Sequence, residues 1–129
     1  MHVIDLRPLD ASPGDARLFV SHWARSWGYR PLISAAALLT SELATNAVEH
    51  AGGDFTVEVT DTGHGVRVDV RDPSPAPPVV RDAQEVDEDG RGLRLVEAVA
   101  TTWGSEPVAG DGKRVWFELD AADPHGRLV

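Results

Sequence analysis

The chain has 129 residues, 12 basic and 21 acidic side chains for a formal charge of -9, and no cysteine. At that length a single domain buries roughly two-thirds of the surface its unfolded chain would expose, so a true core is available. The negative charge repels a phosphate backbone or an anionic lipid surface, which argues against nucleic acid and membrane as partners, and the missing thiols exclude disulfides and thiolate metal sites.

In chain order, MHVIDLRPLD carries no basic segment followed by an apolar core, and no apolar run approaches the roughly 20 residues of a membrane span. A cytoplasmic protein is expected. HVIDL, residues 2 to 6, reads as a short strand, and ASPGDA supplies turn residues and a helix start. The first helix is predicted from about Pro13 to Trp27, with Ala16, Phe19, Val20, Trp23 and Trp27 on one face. That spacing favours core packing for Trp23 and Trp27 over a partner surface. Gly28 ends the helix, Pro31 opens a second at its first turn, and this one runs to about His50 and stops at Gly52-Gly53.

FTVEVTD and VRVDVRD alternate apolar and polar residues around TGHG, so residues 55 to 72 read as an antiparallel hairpin. Residues 73 to 89 hold four prolines and five acids with little periodicity, a long loop of the functional or linker kind. GLRLVEAVATTW reads as a third helix with Gly90 and Gly92 at its start. WGSEPV and KRVWFEL are two strands joined through AGDG, and a polar tail begins at about Ala121. No linker divides the chain, so residues 1 to 129 form one domain with its core between about 10 and 120. The order of elements predicts an α/β sandwich, one mixed and mostly antiparallel sheet with helices on a single face.

Three features carry chemistry. Glu42 and Asn46 lie four apart on the second helix, within about 6 Å of each other at Cβ. An amide oxygen is a hard, neutral ligand suited to Mg²⁺, which prefers a few protein oxygens completed by phosphates and waters. A carboxylate one turn earlier can take a proton from a hydroxyl or water attacking phosphorus. On spacing alone, the plainer reading is that both face solvent or cap a loop. In GRGLRLV, Gly90, Arg91 and Gly92 bring backbone amides and the positive end of a helix dipole to a place where a phosphate can sit, although Gly-x-Gly also occurs in ordinary turns. Asp72 ends a strand, where a buried carboxylate accepts a hydrogen bond from an exocyclic amine or else initiates a turn before Pro73. EVDEDG imitates a calcium loop, but Val96 at its twelfth position cannot clamp the ion, and the five histidines lack metal-ligand spacing.

Taken together, ELATNA on a helix, a strand ending in Asp72, a long loop, GRGLRLV and finally GDGKRVWFEL resemble the GHKL ATPase superfamily with its Bergerat-type fold. Within it, the small anti-sigma-factor serine/threonine kinases look closest. The resemblance implies ATP and Mg²⁺ as cofactors, Asn46 as the metal ligand, Glu42 as general base and Asp72 as adenine acceptor. It also implies that Gly90, Arg91 and Gly92 bind phosphate at the end of a lid formed by residues 73 to 89. The implied activity is phosphorylation of a serine or threonine on an anti-sigma-factor antagonist, with a sigma factor or a second copy of the chain as further partners. The alternatives are a non-catalytic, nucleotide-dependent anti-sigma-type binding module and an orphan histidine-kinase-like catalytic domain. Two positions depart from the family pattern. Pro73-Ser74-Pro75 follows Asp72 where Gly-x-Gly is usual, and Lys113 follows GDG where a small hydroxyl residue is usual. Lys113 is expected either to reach a phosphate or to sit exposed on a hairpin.

Overall fold

The computed structural model describes residues 1–50, 52–73, 88–108 and 112–122, with the side chains of residues 88–93 left aside. The expected lid and the polar tail therefore lie almost wholly outside the described residues. Strands β1 (His2–Leu6), β2 (Phe55–Asp61), β3 (Gly65–Asp72), β4 (Thr102–Pro107) and β5 (Lys113–Asp120) form one five-stranded sheet in the order β1-β2-β3-β5-β4. Every described pairing is antiparallel.

Alternation decides which face of the sheet is covered. Phe55, Val57 and Val59 of β2, Val66, Val68 and Val70 of β3, and Val115, Phe117 and Leu119 of β5 are buried on one side. Helices α1 (Ser12–Ser26), α2 (Ile33–His50) and α3 (Glu88–Val99) add Ala16, Val20, Leu39, Leu43 and Val96 to the same core. α1 and α2 pack on each other, α2 lies against β3 and α3, and α3 meets β4. Among the described residues no helix is long and apolar enough to cross a membrane.

The helix ends follow local chemistry. α1 closes with the Gly28 amide donating to Arg25 and the Tyr29 amide to Ala24, the paired bonds that a glycine at φ +86° permits. Trp23 and Trp27 pack half-buried against the core, and the His2 ring stacks on Trp23 at 3.3 Å, so both tryptophans act as the core residues their spacing implied. Pro31 sits in a 3-10 turn, Arg30–Leu32, that leads into α2.

α3 ends at Val99, short of the predicted Trp103. The reason is pairing with β5. The Thr101 amide donates to the Glu118 carbonyl and its hydroxyl accepts from the Asp120 amide, which draws the two threonines into the sheet where β-branched residues fit well.

The opposite face of the sheet is covered by its own side chains. Arg67 holds Asp69 through two bonds of 3.0 Å, and Arg114 approaches the same carboxylate at 3.7 Å. The Arg67 guanidinium also lies 4.4 Å from the centre of the Trp116 ring. That ring lies across Gly104 of the neighbouring strand, where an added Cβ would come within 2.7 Å of Cζ2.

Candidate functional site

On α2 the buried residues Ala36, Leu39, Thr40, Leu43, Ala44 and Ala47 define an arc facing the core. Glu42 and Asn46 flank that arc on one side, each half-buried. The half-buried Asn46 carboxamide makes no hydrogen bond among the described residues, so its oxygen is left unspent. A neutral oxygen in that condition suits a hard cation. Among the described residues no three His, Asp or Glu side chains converge as a metal cluster. A single neutral oxygen of this kind is compatible with Mg²⁺, an ion that phosphates and waters can otherwise coordinate.

α3 packs against α2, the helix that carries this polar edge. The helix begins at Glu88, two residues before Gly90 and so earlier than predicted. Gly90 falls in the first turn, among the amides that have no intrahelical acceptor. Gly92 lies in the second turn, where its amide can bond back to residue 88. Of the pair, Gly90 is the better placed for an anion. Arg91 stands between them, with its side chain outside the described residues.

The third part of the site is the end of the β3–β5 ladder. Asp72 faces Lys113 in register and shares the helix-covered side with Val70 and Val115. It is buried to 7% exposure. The Lys113 ammonium sits 3.2 Å from each carboxylate oxygen, and its side chain is 13% exposed. Lys113 is thus not exposed on a hairpin; its ammonium meets Asp72. Buried carboxylate and ammonium hold each other because either one alone would be costly to keep from water.

The backbone enforces this pairing. Gly112, at φ +79°, brings the turn so close that an added Cβ would lie 1.9 Å from the Asp72 carbonyl oxygen. Pro73 packs over Gly53 on the other side, with its Cγ 3.3 Å from where a Cβ would stand. A pocket of roughly 200 Å³ opens here, lined by Asp54, Thr56, Arg71, Asp72 and Pro73. The pairing of Asp72 with Lys113, and the close approaches at Gly112 and Gly53, were not anticipated from the sequence. The signal was present: laying VRVDVRD against KRVWFEL with their apolar positions in phase sets Asp72 opposite Lys113.

The structure brings Glu42 and Asn46 onto one helix edge, sets the Gly90 turn on the adjoining helix and leaves Asp72 and Lys113 at the strand ends. A family model described as histidine kinase-like ATPase domain matches residues 7–119. An uncharacterized protein of Streptomyces coelicolor is 38% identical over 90 residues, 65% of this chain and 84% of that protein. The histidine kinase domain of a blue-light activated histidine kinase from Erythrobacter litoralis superposes with a TM-score of 0.52 at 23% identity. That alignment covers 74% of this chain and 47% of the kinase chain, and at such identity the likeness is one of fold.

Proposed function

We propose that this chain, which belongs to the histidine kinase-like ATPase domain family, is a cytoplasmic ATP-binding regulator. It transfers a phosphoryl group to a serine or threonine of an anti-sigma-antagonist-type protein and so controls transcription. The observation that carries the reading is the half-buried Asn46 amide, unspent beside Glu42 on α2, within a family match spanning residues 7–119. Mg²⁺ bound there would neutralise phosphate charge.

The chain's own groups do the rest. The Asn46 oxygen holds the cation, and the first-turn amides of α3 near Gly90 receive phosphate oxygens. Glu42 takes the proton of the attacking hydroxyl as its oxygen bonds to the γ-phosphorus and ADP leaves. Asp72 meets the base at the strand ends.

A second reading, a nucleotide-dependent module that sequesters a sigma-type partner without catalysis, is favoured by the Asp72–Lys113 pair, which engages the base acceptor.

Labelled ATP incubated with candidate antagonist proteins separates the two. General-base assistance is worth about 10²- to 10⁴-fold in rate. Glu42→Ala should therefore slow labelling at least 10²-fold or so while leaving nucleotide affinity nearly intact. Asn46→Ala should instead weaken Mg²⁺-dependent binding. Wild-type protein that binds ATP, labels no partner and holds its target equally well with Glu42 replaced would refute the kinase reading in favour of the binding module.

A further inference from the structure

We infer that the open face of the sheet receives an acidic segment of a partner protein, with Arg71 and Arg114 as neighbouring receptors for its carboxylates. The inference goes beyond the nucleotide reading and does not depend on it.

Register sets the two side by side. Arg71 of β3 faces Arg114 of β5 across the ladder, so both stand on the face away from the helices. Like charges directly opposite each other destabilise a sheet, and an anion between them removes that cost. Arg71 is exposed and makes no hydrogen bond or ion pair among the described residues. Arg114 has only the 3.7 Å approach of its Nε to Asp69, whose oxygens already accept from Arg67, and that Nε is buried without an acceptor. The same face shows what a satisfied guanidinium takes here. Arg67 holds the Asp69 carboxylate through two bonds of 3.0 Å, a planar fork on a planar acceptor. Toward the ladder end, Arg71 and Arg114 offer two more such forks with no acceptor of their own.

The surroundings narrow the ligand. Glu106 faces Arg114 on β4, Glu58 faces Asp69 on β2, and Asp54 lines the pocket with Arg71. None of these acids makes an ion pair with either arginine among the described residues. A dense polyanion such as a nucleic-acid backbone would be repelled by them and by the chain's charge of -9. Separate carboxylates, one to each guanidinium, lessen that repulsion and match the fork geometry.

The test is an NMR titration of the full chain, following the Nε–H signals of Arg71 and Arg114 and the indole N–H of Trp116 on the same face. The probes are a capped peptide carrying two glutamates, its glutamine counterpart, and a form with phosphoserine in place of each glutamate. The glutamate peptide should move the three signals saturably, and the glutamine peptide should leave them in place. A forked ion pair at a partly exposed site is worth about threefold to tenfold in affinity, so Arg71→Gln and Arg114→Gln should each raise Kd by that factor. The double variant should abolish saturation. Arg71→Gln changes an exposed side chain and keeps the test decisive if Arg114→Gln fails to fold. Absence of any shift, or equal shifts with glutamate and glutamine peptides, overturns the inference. So does a phosphoserine peptide that binds more than about tenfold more tightly than the glutamate one, which would make the face a phosphate receptor. Movement of the same signals with protein concentration alone would assign the face to a second copy of this chain. Displacement of the glutamate peptide by ATP with Mg²⁺ would give Arg71 to the nucleotide site, and either result overturns the inference as well.

Discussion

Asp69 and Asp72 stand three residues apart on β3 and therefore on opposite faces of the sheet, and both are nearly buried, at 4% and 7% exposure. Their partners differ. Asp69 lies mid-ladder between two arginines, with both oxygens bonded to Arg67 and Arg114 close by. Asp72 lies at the ladder end, in contact with the Lys113 ammonium and beside a pocket. A carboxylate met by two guanidiniums has little capacity left and serves the fold. One at a strand end beside an opening stands where a ligand can reach it. Burial does not distinguish structure from site here; position beside the opening does.

The largest effect that would break this contrast is on stability. Asp69→Ala strands two arginines that are 31% and 28% exposed, enough for water to relieve part of the cost, and should destabilise by about 2–3 kcal/mol in a urea titration. Nucleotide affinity should be unchanged. A folded variant that lost nucleotide binding would show that Asp69, too, belongs to the site. Asp72→Asn should cost a similar amount, on the order of 2–3 kcal/mol, because the amide oxygen still accepts from Lys113 but the buried ammonium loses its counter-charge. Its main effect should fall on purine nucleotide affinity. Unaltered affinity would make Asp72 a structural residue of the strand ends.

A third carboxylate extends the series to the surface. The Tyr29 hydroxyl donates to Asp61 at 2.7 Å and, with the Gly63 amide, holds that carboxyl below its ordinary range. A lowered folded pKa adds stability above the unfolded value of 3.8, and this is lost as pH falls through the folded one. The same bond raises the Tyr29 pKa, so its contribution is complete below 10.0 and disappears as pH climbs through the raised value. Tyr29→Phe should thus be slightly less stable than wild type near neutrality, and the two should converge in acid. A gap that persisted below the carboxylate range would trace the effect to packing instead.

Elements with strong periodicity were legible in the sequence because one face of each is buried. FTVEVTD and VRVDVRD alternate cleanly, and α1 and α2 carry their apolar arcs. The end of α3 was not, because Thr101 and Thr102 are claimed by β5, a tertiary preference that no local pattern displays. In the candidate site, Glu42 and Asn46 were visible as polar residues on an apolar helix. The tie between Asp72 and Lys113 joins residues 41 apart and depends on strand register, so it emerges only when β3 and β5 are laid together. Asp69 looked like an outward polar residue of an alternating strand. Its burial comes from long arginine stems and Trp116, which alternation does not foresee.

The strand order has a consequence for how the chain is made. β2 and β3 are neighbours in both sequence and sheet, but β3 ends at Asp72 and its other partner, β5, begins only at Lys113. Domains emerge from the ribosome N-terminus first, at roughly 5–20 residues per second. The helical pair with β1, β2 and β3 can therefore assemble while the β5 side of β3 is still an open edge. That edge offers Val66, Val68 and Val70 on one face and a row of unpaired backbone groups, the combination that recruits stray strands from other chains. Antiparallel pairing with β5 closes it late, and the interval before closure is when nascent copies of this protein are most exposed to aggregation.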